Sequence, residues 1–109
     1  MDQTVIIYDV TGGDTQISVA PNFSLSQRSK VSFQVQGASI LTGSVTVQLQ
    51  EANTVAGTYK DIAAGVKVVP VGNSDEYIDA GEYNGVFQQV NITVGSSTGG
   101  IITITLNHK

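Results

Sequence analysis

From residue 31 the chain reads VSFQVQ and, beyond GASILTG, SVTVQLQ, so that apolar and polar side chains alternate on both sides of a glycine-bounded break. A two-residue period sends successive side chains to opposite faces of an extended strand, whereas an amphipathic helix needs apolar residues three and four apart. Alternation recurs along most of the chain between breaks rich in glycine, asparagine or serine, and no stretch sustains a helical spacing over three turns. The pattern predicts an all-β chain with strands near residues 3–10, 14–20, 30–37, 43–50, 58–63, 66–71, 75–79, 86–94 and 101–107.

Taken face by face, Val31, Phe33 and Val35 point one way, as do Val45, Val47 and Leu49, then Val86, Val90, Ile92 and Val94, then Ile102, Ile104 and Leu106. These make one core. Each fully buried Val or Ile contributes roughly 1.5–3 kcal/mol, so one domain over residues 1–109 needs no metal or cofactor for stability. The expected fold is an antiparallel β-sandwich of about eight strands, with jelly-roll or another Greek-key topology. TGGD at 11–14 predicts a tight hairpin between the first two strands, and GSSTGG at 95–100 predicts the same for the last pair. Asn84–Gly85 suits a type I′ turn or an open loop, Pro21 and Pro70 suit strand ends, and Ile40 with Leu41 is expected to plug one end of the sandwich. Residues 1–20 have the strand content to add to a neighbour's sheet, but the expectation is that they complete their own sandwich.

The faces opposite the core carry amides instead of charges: Gln34 and Gln36, Gln48 and Gln50, then Gln89, Asn91 and Thr93. An amide donates and accepts at once, so it pairs laterally or with another chain without desolvating a full charge. Gln34, Gln36, Gln48, Gln50 and Gln89 are therefore interface candidates; the alternative is a solvated strand face with ordinary polar filler.

Composition narrows the partners. Charged residues are 13% of the 109, against roughly 25% in an average domain. The net charge is −4, and the basic residues are scattered at Arg28, Lys30, Lys60, Lys67 and Lys109. Phosphate recognition wants a clustered basic surface, so no nucleic-acid partner is expected. Without cysteine there is no disulfide framework and no thiolate metal site. MDQTVIIYDV lacks the positive charge and long apolar run of a secretory signal or a spanning helix, so the expectation is a soluble chain with no membrane insertion.

Catalysis fails at the residue inventory. The one histidine, His108, stands beside a C-terminus expected to fray, and there is no G-x-S-x-G, Walker loop, H-E-x-x-H or zinc spacing. No enzyme and no cofactor is expected. SDEYIDAGEY gathers Asp75, Glu76, Asp79 and Glu82, which supply oxygen ligands of the kind Ca²⁺ takes, although without the EF-hand spacing; the plainer reading is a solvated acidic loop. Tyr59, Tyr77 and Tyr83 suit a stacking platform for sugar or, more simply, half-buried strand ends with the hydroxyl in water. NFS at 22–24 and NIT at 91–93 match the glycosylation acceptor pattern, which means little without a secretory route.

The run from VSFQVQG through LTGSVTVQLQEANTVAGTYKDI to VNITVGSSTGGIITITL, loosely residues 31–106, resembles small β-sandwich virion proteins of bacteriophages. Within it EANTVAGTYKDI keeps Asn53, Tyr59 and Asp61 but lacks the serine and acid that often precede them in that pattern. The resemblance implies a jelly-roll-like fold and a non-enzymatic virion structural role, as a capsid vertex or penton, decoration or spike component. It further implies self-assembly as a homo-oligomer, a trimer or pentamer, docking to a capsid beside other virion proteins, and localisation in the virion. The alternative is a carbohydrate- or receptor-binding β-sandwich that meets a surface glycan through its tyrosines, with Ca²⁺ at the acidic segment.

Overall fold

The structure, a computed structural model, describes residues 2–19, 30–54, 56–83 and 87–109. Val86, the Asn84–Gly85 turn, Pro21, Arg28 and the NFS segment lie outside the described residues. The strands are β1 (Asp2–Asp9), β2 (Thr15–Val19), β3 (Lys30–Leu41), β4 (Val45–Ala52), β5 (Lys60–Val69), β6 (Gly72–Glu82), β7 (Phe87–Thr93) and β8 (Gly99–His108). They pair antiparallel in two four-stranded sheets, ordered β1-β8-β3-β6 and β2-β7-β4-β5. Two packed sheets with these strand orders are an eight-stranded jelly roll.

The order corrects both expected glycine hairpins. β1 pairs with β8 and β2 with β7, so the TGGD corner carries the chain from one sheet to the other and does not join neighbours. It does so through a 3₁₀ turn at Val10–Gly12 that Asp9 caps, followed by Gly13 at φ +80. GSSTGG makes the same crossing between β7 and β8. Positive-φ glycines permit a sharp reversal of either kind, and only the pairing partners distinguish them. The segments expected at 58–63 and 66–71 are one strand, β5, whose pairing with β4 shifts register between Gln48 and Gln50. That bulge breaks the alternation that a sequence reading depends on.

The core lies between the sheets where periodicity put it. Val31, Phe33, Val35, Val45, Val47, Leu49, Val90, Ile92, Val94, Ile102, Ile104 and Leu106 are all buried in one cluster, joined by Ile6, Val10, Val19, Ile62 and Val69. Ile40 plugs one end as expected, but Leu41 is exposed, because Ser39 and Thr42 both take positive φ around it and turn its side chain outward. The Leu41 carbonyl instead accepts from Thr98 N at 3.0 Å and Ser97 Oγ at 2.8 Å, tying two corners together. Gly37 is required by space: a Cβ there would stand 2.6 Å from Val69 Cγ1. The C-terminal residue is paired, where the sequence suggested a loose end. Lys109 N donates to the Lys30 carbonyl at 2.9 Å and Lys30 N to the Lys109 carbonyl at 3.2 Å, so the β3–β8 ladder runs to the last residue and buries His108 completely.

Candidate interaction surface

Residues directly opposite one another in a sheet share a face, so the registers lay out the outer face of the β1-β8-β3-β6 sheet row by row. Val5, Thr105, Gln34 and Tyr77 make one row; Ile7, Thr103, Gln36 and Asp75 the next; Gln3, Asn107, Ser32 and Asp79 flank it. The face is hydroxyl, amide and aliphatic across its width, with carboxylates only toward its rim. Val5 is 54%, Ile7 70% and Tyr77 77% exposed.

The glutamines are shared between the two outer faces and do not form one surface. Gln34 and Gln36 lie on this sheet, whereas Gln48, Gln50 and Gln89 lie on the far side of the sandwich, in rows with Asn91, Gln16 and Ser18. Several are already engaged. Gln34 Nε2 donates to Asp75 Oδ1 at 2.7 Å across β3 and β6. Gln89 Nε2 donates to Gln50 Oε1 at 2.6 Å, and Gln50 Nε2 donates in turn to Asp61 Oδ1 at 2.8 Å, a lateral chain over three strands. Gln48 folds its amide over the β5 bulge, donating to the carbonyls of Ile62 at 3.0 Å and Gly65 at 3.3 Å. An uncharged donor–acceptor is what cross-strand bridging needs, and here amides bridge neighbours within one chain.

The two ends of each sheet differ. On one side of the sandwich, β5 and β6 are the edges, and Lys67 of β5 and Glu76 of β6 stand opposite the core residues Val47 and Val35. They form an ion pair that links the two sheets. Inward-pointing charge and bulges both obstruct strand addition, and the β3–β6 pairing carries shifts at Val31/Ser32 and Gly37/Ile40. On the other side, β1 and β2 are the edges. β1 pairs with β8 without a shift from Asp2 to Asp9, and between those two aspartates it has no charge and no proline. At its end the Asp9 carboxylate accepts from Thr11 Oγ1 at 2.7 Å and Thr11 N at 3.0 Å. Those bonds, the side-chain one foremost, lower its pKa from the ordinary value of 3.8.

The remaining candidates are dispersed. Asp75, Glu76, Asp79 and Glu82 sit on strand β6, not on a loop, and alternation sends Asp75 and Asp79 outward and Glu76 inward. Asp79 Oδ1 accepts from Gly81 N at 2.9 Å. Among the described residues no three His, Cys, Asp or Glu side chains gather as a metal site, so the Ca²⁺ expectation has no geometry behind it. The expected tyrosine platform does not form either: Tyr77 stands on the outer face, Tyr83 is buried edge-on to the His108 ring at 5.7 Å, and Tyr59 is half-buried ahead of β5. His108 shares Nε2 with Gln88 Oε1 at 2.7 Å inside the sandwich, a structural polar pair. The residues that sequence reading missed are Val5 and Ile7, whose signal was the uncharged run TVIIY at an edge that only strand order reveals.

No family model matches the chain. No curated protein matches it either. Several solved structures match the chain. PirA superposes with a TM-score of 0.58 at 23% identity, over 94% of this chain and 93% of that one. An endospore appendage protein of Bacillus, described as belonging to a family of disulfide-linked pili, gives a TM-score of 0.49 at 19% identity over 99% of this chain and 87% of that one; the present chain has no cysteine. PirA is not a phage virion protein. The assignment to a phage virion, with its capsid docking, virion partners and virion localisation, is thereby overturned. The motifs that carried it are alternating strands and Gly/Ser corners, which any jelly roll needs for its own backbone. The chain is similar to PirA in fold alone, as an all-β sandwich.

Proposed function

We propose that this domain is a non-enzymatic structural subunit whose work is self-association. The observation that carries the reading is the β1 side of the sandwich, a strand edge without a register shift and without charge between Asp2 and Asp9, with exposed Val5 and Ile7, continuous with an outer face of threonine and glutamine. An edge of this kind presents unpaired backbone N–H and C=O groups and is a template for pairing unless it is blocked. The residue inventory supports the non-enzymatic half: the single histidine is buried and paired with Gln88, and the carboxylates of β6 point to different faces. Without cysteine in this sequence, association rests on backbone pairing and side-chain packing, with no disulfide between copies of it.

Light scattering on the purified protein across a wide concentration range tests this. The expected result is a mass that rises from that of the 11.4 kDa chain to a defined multiple. A mass that stays at one chain at every concentration would sink the reading.

A further inference from the structure

We infer that the partner of the β1 edge is β1 of a second copy, paired antiparallel about a two-fold axis that passes beside Ile6, so that two four-stranded sheets become one continuous sheet. This rests on the self-association reading and names its contact. In an antiparallel strand alternate residues turn both N–H and C=O to the same side. Every second residue of β1 therefore faces β8, and the others face off the free edge.

Side-chain parity restricts the register. Outward residues of one copy must oppose outward residues of the other, because a slip of one residue sets the outer face of one strand against the core face of its partner. The outward residues of β1 are Gln3, Val5, Ile7 and Asp9, and the inward ones are Thr4, Ile6 and Tyr8. The two-fold beside Ile6 sets Val5 against Ile7 of the second copy, and Ile7 against its Val5. The two most exposed aliphatic side chains of the strand then cover each other, and Asp9 falls opposite the Gln3 amide of the other copy. Moving the axis to lie between Val5 and Ile6 would oppose residues of unlike parity, Val5 to Ile6 and Thr4 to Ile7. Centring it beside Val5 would set Ile7 against Gln3 and separate the apolar pair. Only the Ile6 axis covers the apolar pair and gives each Asp9 a donor.

The occupant is a second copy because the edge is complementary to itself. Asp9 meets an amide and not another acid, Val5 meets Ile7, and the same surface serves both partners, as a closed two-fold interface requires. The prediction is a dimer in place of the trimer or pentamer that the sequence reading anticipated.

Two double variants at these exposed positions test the register in the full chain. Val5→Lys with Ile7→Lys sets lysine against lysine at both cross-copy positions, whereas Val5→Lys with Ile7→Glu sets lysine against glutamate at both. Sedimentation velocity at a concentration where the unaltered protein is dimeric is expected to give monomer for the first and dimer for the second. Thermal melting of each variant, diluted to monomer, checks that both still fold. If both double variants remain dimeric, or both become monomeric, the proposed register is wrong while self-association stands. If the unaltered protein never dimerises, the functional reading fails with it.

Discussion

The two sides of this sandwich solve the same problem in opposite ways. Each ends in a pair of edge strands. At β5 and β6 the edges are closed by an inward ion pair, Lys67 with Glu76, by register shifts and by a scatter of charge from Lys60 to Glu82. At β1 and β2 the described pairings carry no shift, and β1 keeps one register with β8 for its full length, about 27 Å at ~3.4 Å per residue, with Val5 and Ile7 turned to water. Both sides stand on the same core, so stability does not explain the difference. Obstruction on one side, and none among the described residues of the other, is what a subunit needs if it is to associate along one edge only.

Breaking the shared core should abolish the contrast altogether. Phe33 is fully buried on β3, and Phe33→Ala is expected to cost about 3–5 kcal/mol, read as a loss of denaturation midpoint with protection from exchange falling in both sheets. Gly37→Ala acts closer to the guarded side. Its new methyl would meet Val69 of β5, with Ser74 Oγ of β6 at 3.1 Å, so a loss of roughly 1–3 kcal/mol is expected with the self-association constant unchanged.

Replacing Lys67 and Glu76 together, by Met and Val, should remove the guard at little cost. The pair is partly exposed, with a side-chain exposure of 53% at Glu76, so stability should change by no more than about 1 kcal/mol while a second association mode appears. Light scattering would show it as a mass above the dimer, and Val5→Lys with Ile7→Lys should leave that added mode in place. The smallest effect concerns the end of β1. Because its folded-state pKa is lowered, Asp9 contributes stability that is present above the ordinary value of 3.8 and is lost as pH falls through the folded value. The difference in melting temperature between the unaltered protein and Asp9→Ala should therefore be present at neutral pH and shrink below 3.8.

Much of the fold was legible because alternation reports burial directly. The core sets around Phe33, Val47, Ile92 and Ile104 follow from a period of two and needed no knowledge of pairing. What failed was whatever depends on who pairs with whom. TGGD and GSSTGG have hairpin chemistry but cross between sheets, and the bulge at Gln48 and Gln50 merged two apparent strands into β5. The glutamines were rightly placed away from the core, but strand order divides them between opposite faces and spends several on neighbours within the chain. His108 looked terminal and loose because sequence position does not show that β3 and β8 close their ladder at Lys30 and Lys109. Val5 and Ile7 were invisible as a site for the same reason: an apolar residue on β1 is a core candidate until the strand is known to be an edge.

The contrast between the edges is tested most directly by amide hydrogen exchange, resolved by residue, at one dilute and one high protein concentration. Alternate amides of β1, those turned away from β8, should gain protection as concentration rises, while those of β6 stay the same. Protection that rises equally on β6, or on neither strand while the mass increases, would contradict the account.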